Sequence, residues 1–243
     1  MYTGKVLESY VDLVCQKTGA TRVNIVAHSM GGLVTSAYLM QASNVKVSSV
    51  VTLGSPFLGS DMATELLYEK DFTHIVKNNV LPILGYGKQA RSNASSMKET
   101  LINAATNAMY DIAVTIPSIY SLIPQNSQSL FADNETVAAT GGFNTSKKLL
   151  EAYKSAFSKV EHYNIIGVSA DVIKFDLMGD GYTKAYVDGY GTVSKDSACA
   201  GGLFESNLTE LNLSHVNLVK DIESINIVKG LLYYIYVDTC MKI

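Results

Sequence analysis

Cysteine is sparse. Cys15, Cys199 and Cys240 are the three in 243 residues. An odd count at these spacings matches neither a zinc site nor a disulfide framework, so three free thiols are expected. Charge is also thin: 17% of residues are charged and the net charge is −3. No basic block occurs, which argues against a nucleic-acid partner. No apolar run approaches the ~20 residues of a membrane span, and LLYYIYV at 231–237 is far too short. The start MYTGKVLESY has no basic segment followed by an apolar one, so it does not read as a secretory signal. Repeats and low-complexity tracts are missing as well. What remains is an ordinary globular composition, 47% hydrophobic, at a length that suits a single domain over 1–243.

The first quarter of the chain alternates. Residues 4–18 place Val6, Leu7, Tyr10, Val11 and Val14 at helical spacing, and Gly19 ends the helix. RVNIVAH is a buried parallel strand by composition, LVTSAYLMQAS a helix, and VKVSSVVTLGSP a second strand. Helix, strand, helix, strand predicts an α/β fold with a parallel sheet. Residues 60–150 break this rhythm with helical stretches and Asn-, Ser- and Gly-rich loops. They are expected to form a largely helical insertion above the sheet. A strand returns at 162–170, short β-like pieces follow over 171–201, and the remainder is expected to be mostly helix.

One junction carries chemistry. In VNIVAHSMGGL a strand ends at Ser29, a helix begins, and the neighbours Ala27, Gly31 and Gly32 are tiny. Small-x-Ser-x-Gly between strand and helix is what a nucleophile elbow requires, because a sharp turn must push the hydroxyl clear of the backbone. Ala27 stands where the usual pattern has glycine. The N–H of Met30 and the positive end of the helix dipole face any oxyanion that forms there. A plain serine N-cap is the competing explanation.

A serine nucleophile needs a histidine base, and the base needs a carboxylate. Of four histidines, His28 lies inside the elbow, His74 in the insertion, and His162 opens a strand. His215, in LNLSHVNLV after the last irregular segment, suits the base. The acid candidates are Asp171, Asp176, Asp180, Asp188, Asp196, Glu205 and Glu210. Asp188, at a tight turn after TKAYV, is preferred, with Asp171 and Asp180 as alternatives.

These residues resemble the lipase branch of the α/β-hydrolases, close to the lecithin:cholesterol acyltransferase-like lipases. The likeness lies in VNIVAHSMGGLV, VVTLGSPFLGS, YSLIP, YGTVSKDSA and SHVNLV, from about residue 5 to the end. It implies an α/β-hydrolase-type, mostly parallel sheet with a helical lid over 60–150. It also implies hydrolysis of acyl-lipid esters through Ser29, Asp188 and His215, with Met30 in the oxyanion hole, and a secreted or extracytoplasmic setting. No cofactor is required, although the Asp-rich loop 171–196 is a weak Ca²⁺ candidate. The expected partners are an acyl-ester lipid and a lipid–water interface. Acyl transfer to an alcohol, and a catalytically weak hydrolase-like module, are the rival functions.

Two departures from the family stand out. Laid strictly over the family's G-D-G-T-V, the chain puts Tyr190 where the acid belongs. Asp188 matches only if Tyr190-Gly191 is an insertion. In addition, 22 residues precede Val23, so the family's earlier strands and its second oxyanion donor have no counterpart in this chain. An N-terminally truncated sheet with an open edge is expected, from a truncated gene product, a late start codon, or a homodimer that covers the edge. Five N-x-S/T sequons (Asn93, Asn134, Asn144, Asn207, Asn212) complete the motif reading.

Overall fold

A computed structural model describes residues 2–70, 96–131, 147–169, 171–178 and 181–241. Its centre is a four-stranded parallel sheet. The strands are β1 (Val23–His28), β2 (Val47–Leu53), β3 (Glu161–Gly167) and β6 (Leu208–Leu211), in the order β1-β2-β3-β6. A separate antiparallel ribbon pairs β4 (Val172–Met178) with β5 (Gly181–Val187). The predicted α/β class holds. The strand at 208–211 does not follow the expectation of mostly helix there. LTEL is short and mixed, and it becomes a strand by pairing with Asn164 to Gly167 of β3.

β2 is an interior strand, and every residue in it except Ser48 is buried. This explains its near-continuous run of apolar and small residues. Two cores flank the sheet. One gathers Tyr38, Leu39, Val47, Val50, Phe57, Tyr153 and Phe157. The other gathers Val51, Leu53, Ile165, Ile166, Tyr190 and Leu218. The first draws on α2 (Met30–Gln41) and α6 (Lys147–Phe157), and α1 (Tyr2–Thr18) packs on α2. β1 pairs only with β2 among the described residues, so its other edge is open, and Val26 on it is 44% exposed.

The described part of 60–150 is helical. It comprises α3 (Asp61–Thr64), which runs on into a wider π turn, α4 (Ser96–Ala113), α5 (Pro117–Tyr120) and a 3-10 segment, Gln125–Phe131. This part has its own core of Ala63, Leu66, Leu67, Tyr120, Ile123 and Phe131. α7 (Lys195–Ala198) lies between β5 and β6, and α8 (Ile222–Met241) follows β6. No helix among the described residues is long and apolar enough to cross a membrane.

Two buried contacts tie these layers together. Asp61 Oδ1 accepts the Phe175 N–H at 3.2 Å, joining α3 to the β4–β5 ribbon. Burial raises its carboxyl to about 6, against the lowering effect of that bond and of Lys174. His162 lies among Phe57, Phe157 and Phe204 with its Nε2 2.9 Å from Thr52 Oγ1, and burial lowers it to about 4. It is structural, as its place at the start of a strand suggests.

These groups act on stability in opposite senses. A carboxyl raised in the folded state favours folding below its unfolded value near 4, and that contribution is lost as pH rises through 6. His162 and His215, both lowered to about 4, favour folding above 6.5 and lose that contribution as pH falls towards 4. Urea unfolding across pH 3–8 should therefore show wild-type stability rising with pH between 4 and 6.5. Asp61→Asn keeps the acceptor for Phe175 N–H. It should steepen that rise, add roughly 2–3 kcal/mol at pH 7, and match wild type below pH 4. Equal stabilities at pH 7 would contradict the assignment.

Candidate active site

Ser29 occupies a backbone conformation that L-residues rarely adopt, with φ 53° and ψ −127°. The strand-to-helix turn enforces it. The Ser29 N–H donates to Leu53 O of β2 at 2.9 Å, and the Gly32 N–H donates to Ser29 O at 3.1 Å. The chain thus leaves β1 and enters α2 with one strained residue between them. A serine that merely capped the helix would bond its side chain to the first turn, and Ser29 makes no such bond.

The small neighbours have different reasons. A Cβ on Gly31 would lie 3.6 Å from the Ala27 methyl, an ordinary contact. A Cβ on Gly32 would press into Ser55 Oγ and lie 2.5 Å from Ser55 Cβ. Gly32 is therefore the glycine that α2 needs to approach the loop after β2. As the first residue of α2, Met30 has an N–H with no partner in a preceding turn.

His215 reaches the serine. Its Nε2 lies 2.9 Å from Ser29 Oγ, although 186 residues separate the two. The loop after β6 delivers it, and two backbone bonds fix it. The His215 N–H donates to Tyr190 O at 3.2 Å, and His28 Nε2 donates to His215 O at 3.0 Å. The imidazole has two ring neighbours. Tyr190 stacks on it, with centroids 5.5 Å apart and planes 13° apart, and His28 sits 4.6 Å away, tilted 38°. His28, set aside in the sequence as a residue inside the elbow, lies against the His215 ring and donates to its carbonyl. The residue that sequence reasoning missed as a contact is Tyr190, although the strict overlay of the acid motif had pointed to that position.

Asp188, expected to hold His215, does not do so. Its side chain is exposed, and among the described residues its carboxylate has no hydrogen-bond or ion-pair partner. Its backbone carbonyl accepts the Lys195 N–H, and its side chain lines a cavity of about 620 Å³ with Asp61, Asn126 and Lys174. Neither Ser29 nor His215 lines that cavity. The reason is local. The turn after β5 sends Asp188 outward and brings the Tyr190 ring inward, onto the face of His215. Asp171 is exposed at the start of β4, and Asp176 pairs with Lys174 at 3.5 Å. Glu210 pairs with Lys195, while Asp196 and Glu205 are exposed. Asp180 and His74 lie outside the described residues.

Among the described residues His215 Nδ1 is accordingly buried without a hydrogen-bond partner, and so is the Tyr190 hydroxyl. An orphaned buried polar atom of this kind costs about 1–3 kcal/mol. Burial first, and the neighbouring His28 second, lower His215 to about 4. The imidazole is neutral at pH 7, which is the form a general base needs. Among the described residues no three His, Cys, Asp or Glu side chains gather as a metal site.

The glycine geometry gives a direct test. Gly32→Ala should cost about 1–3 kcal/mol by urea unfolding, from overpacking against Ser55. Gly31→Ala should be neutral or slightly stabilising, since alanine is the better helix former by about 1 kcal/mol. The reverse order would mean that the elbow packs differently.

The sequence family described as "alpha/beta hydrolase fold" matches residues 2–78. A triacylglycerol lipase from Pseudarthrobacter phenanthrenivorans is 47% identical over 60 residues, which is 25% of this chain and 18% of the lipase. Another, from Burkholderia plantarii, is also 47% identical over 60 residues, 25% of this chain and 16% of that protein. The chain thus spans less than a fifth of the length of these relatives. Among solved structures, a carboxylesterase from the thaumarchaeon Nitrososphaera gargenis superposes with a TM-score of 0.45 at 16% identity. That alignment covers 98% of this chain and 74% of the other. Proline iminopeptidase from Mycobacterium smegmatis gives 0.41 at 12% identity, over 93% and 70%. With its parallel sheet and the strand–Ser29–helix junction inside the matched segment, the chain has the α/β-hydrolase fold.

Proposed function

We propose that this chain hydrolyses carboxylic esters of acyl lipids, with Ser29 as nucleophile and His215 as general base. The observation that carries the reading is the 2.9 Å approach of His215 Nε2 to Ser29 Oγ on a strained strand-to-helix turn. The lipid class rests on the local identity to triacylglycerol lipases.

In the first half-reaction His215 Nε2 takes the Ser29 hydroxyl proton, and Oγ bonds to the ester carbonyl carbon. The carbonyl oxygen becomes an oxyanion facing the Met30 N–H at the positive end of α2. The carbon–oxygen bond to the alcohol then breaks, and the leaving oxygen takes the proton from Nε2. In the second half His215 deprotonates water, which attacks the acyl carbon. The acid leaves and Ser29 regains its proton. An acceptor alcohol in place of water would make the same centre an acyltransferase. The helices of 60–150, with their separate core, are proposed as the cap over the acyl chain at a lipid–water interface.

One observation favours a second reading. Among the described residues no carboxylate stands on Nδ1 to select the tautomer that leaves Nε2 free to accept, and losing that partner lowers the rate by about 10⁴ in a serine protease. A module that binds lipid with little turnover fits this. A fluorophosphonate probe separates the two. Wild type should label, Ser29→Ala should not, and His215→Ala should label at least ~100-fold more slowly. Folded wild type that resists the probe would favour the binding module. Product analysis with added alcohols would then divide hydrolysis from transfer.

A further inference from the structure

We propose that Tyr190 and His28 are the positioning residues of this site, holding the His215 imidazole on Ser29 in the place of a carboxylate. The inference deepens the ester-hydrolase reading and rests on it for its catalytic meaning.

Three observations converge. First, the imidazole is fixed by contacts that involve no anion. Its peptide is held at both ends, N–H to Tyr190 O and carbonyl to His28 Nε2. Its ring stacks on Tyr190 and lies beside His28. Rotation away from Ser29 would break the stack.

Second, on the Gly54 side Nδ1 faces carbon. A Cβ placed on Gly54 would lie 2.9 Å from Leu218 Cδ1, 3.0 Å from Tyr190 Cε2 and 3.2 Å from His215 Nδ1. Gly54 therefore leaves just enough room for the two rings to meet. No carboxylate has access there among the described residues. The titratable groups that face His215 are Ser29 and His28 at the end of β1 and Tyr190 after β5, and none carries a negative charge at neutral pH. β2 contributes Gly54, and the segment after the histidine contributes Leu218.

Third, the Tyr190 hydroxyl is itself buried without a partner. The residue therefore acts through its ring and not through its oxygen. This predicts which substitution preserves the function: phenylalanine keeps the stack and removes only the orphan hydroxyl.

A carboxylate-held histidine titrates near its ordinary value or above it, because the anion supports the imidazolium. A histidine held by rings in an apolar wall titrates low, because nothing supports its charge. The two arrangements therefore differ in a measurable way, apart from rate.

The experiment follows the imidazole Cε1–H signals of ¹³C-histidine-labelled full chain from pH 3.5 to 8, with His215→Asn assigning the signal. Acylation by p-nitrophenyl acetate is measured over the same range. His215 should titrate near pH 4 in wild type and in Tyr190→Phe, and acylation should share that acid limb with a plateau up to pH 8. Tyr190→Leu opens the wall to water. Its His215 should titrate at least one pH unit higher, and acylation should slow tenfold or more. His28→Leu should slow acylation, and His28→Gln, which keeps a donor, should restore most of it. His215 titrating between 6 and 7 in wild type would overturn the proposal. So would Tyr190→Leu with an unchanged titration and rate. If the titrations follow the expected pattern while Ser29 takes no acyl group, the ester reading fails and the positioning roles stand.

Discussion

The site depends on the strained backbone of Ser29. A φ of 53° at a residue with a Cβ costs of order 1–3 kcal/mol, and it persists only where the surroundings over-determine it. Here they do. The Ser29 N–H is held by the end of β2, and its carbonyl is held by Gly32 in the first turn of α2. β2 is itself clamped between two cores. The strain is thus anchored in the best-buried strand of the molecule. That strand also ends in Gly54, beside the His215 ring. One strand end therefore sets the position of both Ser29 and His215.

The histidine arrives by a different logic. It is long-range and carries no local signature beyond a polar loop before a helix. Its place is fixed by β6, a four-residue strand whose pairing with β3 sets where the following loop begins. The Gly167 backbone is packed tightly there, with Leu213 O and the Tyr190 ring close to where a Cβ would stand. The close approach of these loops brings Tyr190 and His215 into register.

The elbow could be read in the sequence because its constraint is local. A strand pattern, a serine and tiny neighbours fall within eleven residues, and each is required by the turn itself. The order of nucleophile then base narrowed four histidines to His215. β6 was not readable, since LTEL has no strand periodicity and becomes a strand only by pairing. The acid position was misjudged for a related reason. Asp-Gly favours a turn wherever it falls, and nothing local tells which residue of VDGYGTV faces inward. Burial decides it, and a tyrosine ring gains more from the apolar wall beside Leu218 than a carboxylate would.

That preference bears on what the wall does. An aspartate in the same place would be buried beside Gly54 and Leu218, and its charge would be tolerated only while it accepted a hydrogen bond from His215 Nδ1–H. A tyrosine needs no such pairing, so the wall is stable with His215 neutral. Under the proposed mechanism, this arrangement places a neutral base and gives up support for the charged imidazolium that forms when the serine proton moves. Packing and transition-state stabilisation pull in opposite directions at position 190. Position 190 carries the packing residue, so under the proposed mechanism the same loop holds the base in position and limits how strongly it acts.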